Sequence, residues 1–288
     1  MTERYDLHIH SNISDGTQPL TELVPLIREA GLAGFALTDH DTARGWSQAA
    51  ELAGEYGLDF LPGGEFSCRY SYRDEQGHER TKSVHLLGYG YDPDYPQLRD
   101  EMKRLLDDRL SRARRMADRL AADYPLTWDD VLAQSSDGEN TVFGRPHLAD
   151  ALVAVGAAKN RTDAFDNILY VNGPYHVHQQ SMDPLEAIRL VRAAGGVPVV
   201  AHPMSEERGP ALPLEYLGKM VEAGLAGVEV YHRENSEPNR ARLLEFARER
   251  ELLVTGSSDY HGAGKPNQLG EYTTSRETVE AIRAQISR

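Results

Sequence analysis

The chain has a single cysteine, Cys68, in 288 residues. One thiol excludes an internal disulfide and any zinc site built on cysteine pairs. No apolar run reaches the ~18 residues that a membrane-spanning helix requires. The N-terminus lacks a basic stretch followed by an apolar one, so no signal peptide is expected and the cytoplasm is the natural compartment. Basic residues are also short: 31 Lys and Arg stand against 45 Asp and Glu, a net charge of −14. That balance rules out a general basic surface for long nucleic acid. Small anionic substrates stay open, because bound metal ions can dominate the field of an acidic site. Aromatics make up 8% of the chain, and its two tryptophans, Trp46 and Trp128, are expected to pack, as is Cys68. Nothing signals oligomerisation, so a monomer is the default.

What is present is a series of short apolar runs, each ending in a polar residue of ligand type. "YDLHIH" ends at His8 and His10, "GFALTDHD" at Asp39, His40 and Asp41, and "LDFLPGGE" at Glu65. "SVHLLGYG" carries His85, "GVPVVAHP" ends at His202, "AGVEVYH" at His232, and "LLVTGSSDYH" at Asp259 and His261. Each of these seven runs reads as a buried strand. Helical patterns separate several of them. "PLTELVPLIREAG" ends at Gly31 and carries an awkward Pro25; "DPLEAIRLVRAAGG" has Asp183 as its N-cap and Pro184 at the first helical position. Strand, helix, strand in repetition predicts a mainly parallel α/β sheet. The stretch from Glu65 to Gly90 breaks the rhythm and predicts a hairpin turning near Glu75–Gly77.

Residues 96–180 differ. Leu98, Met102, Leu105, Leu106, Leu110, Ala113, Met116, Ala117 and Leu120 fall at helical spacing, with arginines and acids on the other face. Shorter helical patterns follow at Trp128–Gln134, Arg145–Val155 and Arg161–Leu169. This predicts a helical insertion at 96–180 that divides one α/β unit into 1–95 and 181–288.

In parallel α/β folds, catalytic groups gather where strands end. The histidines and carboxylates above occupy that position repeatedly, so residues distant in sequence should meet. His8 and His10 are two apart on a strand and share a face, and Asp15 follows in a Ser-Asp-Gly turn able to return over it. Imidazole with carboxylate suits zinc, manganese or iron. The number of ligands exceeds the four or so that one tetrahedral zinc takes, which points to more than one ion. Any one of these residues alone would read as a buried histidine or a solvated acid. Their common topological position favours a joint metal site.

The ordered set "DLHIHSNISDG", "LTDHDT", "GGEFS", "VHLLGYG", "VAHP" and "SSDYHG" resembles the polymerase and histidinol phosphatase (PHP) family of metal-dependent phosphoesterases, and more closely its branch acting on nucleoside 3′,5′-bisphosphates and on the 5′ ends of short RNA. The resemblance spans residues 6 to about 262 and implies a distorted (β/α)7 barrel with three divalent ions: manganese, iron or zinc. It implies one ion on His8, His10, Glu65 and Asp259, a second on Asp15, His40 and His261, and a third on Glu65, His85 and His202. It further implies that hydroxide formed between close metals attacks phosphorus, with Asp41 or His232 as proton donor. "GRPHLADAL" resembles the branch's Arg-Pro-His motif, making Arg145 and His147 candidates for gripping substrate. Where the branch often carries a phosphate-binding lysine, this chain has Asn172, His176 and His178, with Lys159 nearby as a possible substitute. His232 is similar to a family position beside the substrate. The expected activity is removal of the 3′-phosphate from nucleoside 3′,5′-bisphosphates. The alternatives are 5′→3′ trimming of short oligonucleotides, a histidinol-phosphate-type monoesterase, and a non-catalytic metal-stabilised module. Amidohydrolase-type C–N cleavage would need a carboxylated barrel lysine, for which "VVAHP" and "LLGYG" offer no candidate.

Overall fold

A computed structural model describes residues 3–206 and 210–287. The first half runs β1 (Arg4–Ile9), α1 (Leu20–Glu29), β2 (Gly34–Leu37), α2 (Trp46–Tyr56), β3 (Asp59–Arg73) and β4 (Glu79–Tyr89). The helices α3 (Pro96–Leu120), α4 (Trp128–Leu132), α5 (Arg145–Ala154) and α6 (Arg161–Asn167) come next. The second half is α7 (Pro184–Ala193), β5 (Val197–Ala201), α8 (Leu214–Glu222), β6 (Gly227–Tyr231), α9 (Glu237–Glu249), β7 (Leu253–Gly256), β8 (Thr274–Ser275) and α10 (Arg276–Gln285). Among the described residues no helix is long and apolar enough to cross a membrane.

The strands form one sheet in the order β7-β6-β5-β4-β3-β2-β1-β8. Residues beyond β7 return to β1 through the Ile9–Tyr260 bridge and the His10 N–H to Tyr260 carbonyl bond (2.9 Å), so the sheet nearly closes into a barrel. The seven strands read from the sequence are all present. The eighth, β8, is only two residues long and pairs antiparallel with β1, too short to leave a periodic signal. β1–β3 run parallel, as do β5–β7, but β4 is antiparallel to both its neighbours. The β3–β4 hairpin turns at Asp74–His78, where Gly77 takes φ 81°.

Pro25 does not end α1, which continues to Glu29 with Leu20, Leu23, Val24 and Ile27 buried. Asp183 caps α7 by accepting from the Leu185 and Glu186 amides at 2.9 and 3.2 Å. The 96–180 segment carries its own apolar cluster, including Met116, Leu120, Val131, Phe143, Leu148 and Leu152, separate from those under the barrel strands. One expectation fails on α3. Arg109 and Arg112 are not on a solvated face but are buried alongside Leu105 and Met116, each 6% exposed. Buried guanidinium groups need partners. Arg109 finds its partners on the barrel, at Asp41 and Ser67, and Arg112 finds its own in the loop at Val177 and Gln179.

Candidate metal centre and its surroundings

The site is assembled at the strand ends on one mouth of the barrel. β1 delivers His8 and His10, 0% and 1% exposed, on the same face of the strand. The next turn brings Asp15 back over them. This turn needs Gly16, since a Cβ there would stand 2.5 Å from the His10 carbonyl oxygen, a contact with backbone that cannot move aside. Asp39, at the end of β2, braces the turn by accepting from the Ser11 amide (2.9 Å) and from the Ser11 and Ser14 hydroxyls (2.6 Å each). His40 follows it and bridges to Glu65 of β3.

Glu65 lies at the centre. Its carboxylate oxygens stand 3.3 Å from His8 Nε2, 3.1 Å from His10 Nε2, 3.4 Å from His40 Nδ1, 2.6 Å from His85 Nδ1 and 3.6 Å from His202 Nε2. His85 reaches this point differently from the others. Like Glu65 within β3, it is not at a strand end; the antiparallel register of β4 sets it opposite Ser67 of β3 and Ala201 of β5, beside His202. The residues after β7 close the ring. Asp259 Oδ1 is 3.4 Å from both His8 Nε2 and His10 Nε2, and His261 Nε2 is 3.2 Å from Asp15 Oδ1.

The ligand atoms of His8, His10, Glu65 and Asp259 fall within 4.8 Å of one another, as do those of His10, Asp15, His40 and His261, and those of His40, Glu65 and His85. Two groupings thus follow the expected sets, with His10 close to the second as well. In the third, His40 stands nearer than His202. The donor set fits divalent cations on an independent ground. His8 Nε2, His10 Nε2, His40 Nδ1 and His261 Nε2 are buried without a hydrogen-bond partner among the described residues, although carboxylate oxygens lie close. Orphaned polar atoms are costly inside a protein. Lone pairs converging on shared points, misaligned for hydrogen bonds, are what coordination requires.

The electrostatics of the carboxylates agree. Burial pushes Glu65, Asp15 and Asp259 up, yet each is held well below the usual carboxylate range: Glu65 by His85 and His8, Asp15 by His261 and His40, Asp259 by Lys265 and His8. The carboxylates are therefore anionic, as metal ligands must be.

A supporting layer surrounds the ligands. Glu229 of β6, wholly buried, faces His8 Nδ1 from Oε1 (3.1 Å) and accepts the His202 amide at Oε2 (2.9 Å). His261 Nδ1 donates to the Asp259 carbonyl oxygen (2.8 Å), and Lys265 Nζ donates to Asp259 Oδ2 (2.8 Å). Asp41, His202 and Asp259 hold φ of 52°, 28° and 54°, the left-handed region that non-glycine residues occupy at a cost. Glu229 and Lys265 were not singled out from the sequence. Glu229 sits mid-strand in "GVEVYH", and a buried acid in so apolar a run was a signal available to be read.

The remaining expected residues divide. Asp41 does not face the centre as a free acid. Its Oδ1 accepts the Ser67 amide (2.8 Å) and its Oδ2 accepts Arg109 Nε (2.9 Å). Engaged at both oxygens and facing a guanidinium, it acts as a brace and is not placed to donate a proton. His232 is fully buried with Nε2 3.8 Å from Asp259 Oδ2, while its Nδ1 accepts the Glu234 amide (3.2 Å). That bond fixes Nε2 as the nitrogen carrying hydrogen. Arg145, at the start of α5, donates to the Leu169 carbonyl (3.2 Å) and packs on Phe165. His147, in the same first turn, is buried, which pushes its pKa down, and its Nδ1 accepts the Gly144 amide (3.2 Å). Lys159 is exposed at the foot of α6.

Comparison with known proteins agrees with this geometry. A crystal structure from Bifidobacterium adolescentis, described as a metal-dependent phosphoesterase, superposes with a TM-score of 0.91 at 42% identity over 99% of this chain and 96% of that one. A 3′,5′-nucleoside bisphosphate phosphatase from Chromobacterium violaceum is 31% identical over 90% of this chain and 88% of its own length. A 5′-3′ exoribonuclease from Haemophilus influenzae is 30% identical over 91% of each. The PHP domain model matches residues 6–149. With its barrel, its ligand clusters and these relatives, the chain belongs to the PHP family of metal-dependent phosphoesterases and is a phosphoric ester hydrolase.

Proposed function

We propose that the chain removes the 3′-phosphate of nucleoside 3′,5′-bisphosphates, using three divalent ions of manganese, iron or zinc. The convergence of five imidazoles on Glu65, with their facing nitrogens largely orphaned, carries the reading. The Chromobacterium violaceum relative of the same name supports the substrate. In this reading His8, His10, Glu65 and Asp259 would hold one ion, Asp15, His40 and His261 a second, and Glu65, His85 and His202 a third. When bound, such ions supply Lewis acidity toward the phosphoryl oxygens and an activated water at neutral pH.

The chain's own groups do the rest. Glu229 and Asp39 hold β1 and its turn so that ligand geometry is set before substrate arrives. Arg145 offers a planar guanidinium to a phosphate, and His147 an imidazole beside it. With Asp41 committed to Arg109, His232 Nε2–H is the group left to hydrogen-bond the departing oxygen, whose proton comes from solvent water. The 96–180 helices serve as a lid carrying Arg109, Arg145 and His147, and the lone buried thiol suits a cytoplasmic protein.

The test is mass spectrometry of products after the manganese-loaded protein meets adenosine 3′,5′-bisphosphate. AMP and inorganic phosphate are expected; unchanged substrate with metal bound would overturn the assignment. The Haemophilus influenzae relative supports a second reading, release of mononucleotides from short 5′-phosphorylated oligonucleotides, and a trinucleotide in the same assay distinguishes it.

A further inference from the structure

One cation at the metal centre has a partner but no task yet. Lys265 follows the single helical turn Gly262–Gly264, just after Asp259 and His261. Its side chain is 30% exposed, and its Nζ donates to Asp259 Oδ2 at 2.8 Å. The other oxygen of that carboxylate keeps different company. Asp259 Oδ1 stands 3.4 Å from each of His8 Nε2, His10 Nε2 and His261 Nδ1. The two oxygens are thus divided, Oδ1 toward three imidazoles and Oδ2 toward the ammonium, with His232 Nε2 3.8 Å from Oδ2.

The backbone around Asp259 is held independently of this contact. Asp6 Oδ1 accepts the Ser258 amide (3.0 Å), Asn267 Nδ2 donates to the Ser258 carbonyl (2.6 Å), and the Tyr260 amide donates to the His8 carbonyl (3.3 Å). What remains adjustable is the carboxylate itself, and Lys265 is placed to fix it. The turn that delivers the ammonium is strapped to the residues after Asp15: the Ala263 amide donates to Thr17 Oγ1 (2.9 Å) and the Thr17 amide to the His261 carbonyl (3.2 Å). Gly262, at φ 64°, lets the turn pack there, since a Cβ would collide with Thr17 Oγ1.

A carboxylate can hold a cation through one oxygen or through both. With both oxygens engaged, Asp259 would take up a position that a catalytic ion must keep open for substrate or water. An ammonium on Oδ2 opposes this, because a charge-assisted bond must be given up before that oxygen can turn inward. Resting on the assignment of His8, His10, Glu65 and Asp259 to one ion, we propose that Lys265 is a positioning residue that restricts Asp259 to one-oxygen coordination. It thereby keeps a place on that ion for the phosphoryl oxygen of the substrate, while itself touching neither.

Cobalt substitution tests this without turnover, since an added ligand weakens and shifts the visible absorption of the ion. In the cobalt-loaded wild type, inorganic phosphate should alter the spectrum as it takes the open place. In Lys265→Met, Oδ2 is released. Its starting spectrum should be weaker, its cobalt held roughly tenfold more tightly against a chelating dye, and its response to phosphate largely lost. Lys265→Arg keeps the charge and should behave as wild type, which a merely structural role would not require. A Lys265→Met protein with the wild-type spectrum or the wild-type phosphate response would overturn the proposal. So would a Lys265→Arg protein that matches Lys265→Met, or a wild type whose spectrum ignores phosphate. A wild type that binds no cobalt would instead overturn the ligand assignment itself.

Discussion

Arg109, in the middle of α3, holds Asp41 just beyond β2 in a buried ion pair, its Nε 2.9 Å and its Nη2 2.8 Å from Asp41 Oδ2. The same guanidinium donates to Ser67 Oγ of β3 (2.6 Å) and to the Phe143 carbonyl ahead of α5 (3.3 Å). One side chain thus references the helical segment to two strands, next to His40 and Glu65. This contact set ties the helical segment to the barrel beside the candidate ligands.

Removing one member of a buried pair leaves the other charged and unpaired, which costs about 3–5 kcal/mol. Asp41→Asn is the suitable probe, because asparagine tolerates the left-handed backbone at this position. It should lower unfolding stability by about 3 kcal/mol. Asp41→Asn with Arg109→Met should recover part of that loss, since no buried charge remains. Urea denaturation of the three proteins measures it. A single variant within about 0.5 kcal/mol of wild type, the range of ordinary surface changes, would show that the pair is not structural.

Glu229 should govern metal affinity without touching metal. It faces His8 Nδ1 and anchors the His202 amide, so it orients two ligands proposed for different ions. Glu229→Gln keeps size and one acceptor but removes the charge that makes His8 a stronger donor. Losses of outer-layer partners typically weaken metal binding about 10–100-fold. Competition with a chelating dye reads the affinity directly, and wild-type affinity in the variant would remove Glu229 from this role.

Gly16 tests the turn that returns Asp15 to the centre. In Gly16→Ala the new methyl meets the His10 carbonyl oxygen, and its carbon, at 2.5 and 2.8 Å. The turn must open, carrying Asp15 away from His261. The expected outcome is loss of one bound ion per chain with the rest retained, read by elemental analysis after dialysis. Full metal content would mean that the turn yields without moving Asp15.

Much of this was legible in the sequence because barrel strands end where ligands begin. His8, His10, Glu65, Asp259 and His261 each close a short apolar run, and topology alone brings such ends together. What could not be read is what depends on register and tertiary pairing. His85 lies mid-strand and reaches Glu65 only because β4 runs antiparallel. Asp41 looked like a free acid because its partner is 68 residues away on another element. Arg109 and Arg112 were assigned to solvent because helical periodicity marks apolar residues, and gives no sign of a charge buried by its partners. β8, two residues long, leaves no pattern at all.

The arginines around His176 have a consequence for acid stability. Burial and then Arg112, His178, Arg145 and Arg69 push the His176 imidazole from its usual 6.5 down to about 4. The folded state therefore refuses a proton that the unfolded chain accepts between these values. Stability contributed by keeping His176 neutral is fully present above pH 6.5 and is lost as pH falls toward 4. His176→Gln cannot charge, while the backbone bonds of residue 176, from its amide to Gly173 and from Arg119 to its carbonyl, do not depend on the imidazole. Its melting temperature should match wild type at pH 7.5 and exceed it increasingly from pH 6.5 to 4.5. Inorganic phosphate, by offsetting the guanidinium charge, should narrow the gap at low pH. Melting curves that stay parallel across this range would show that the imidazole does not sense the arginines.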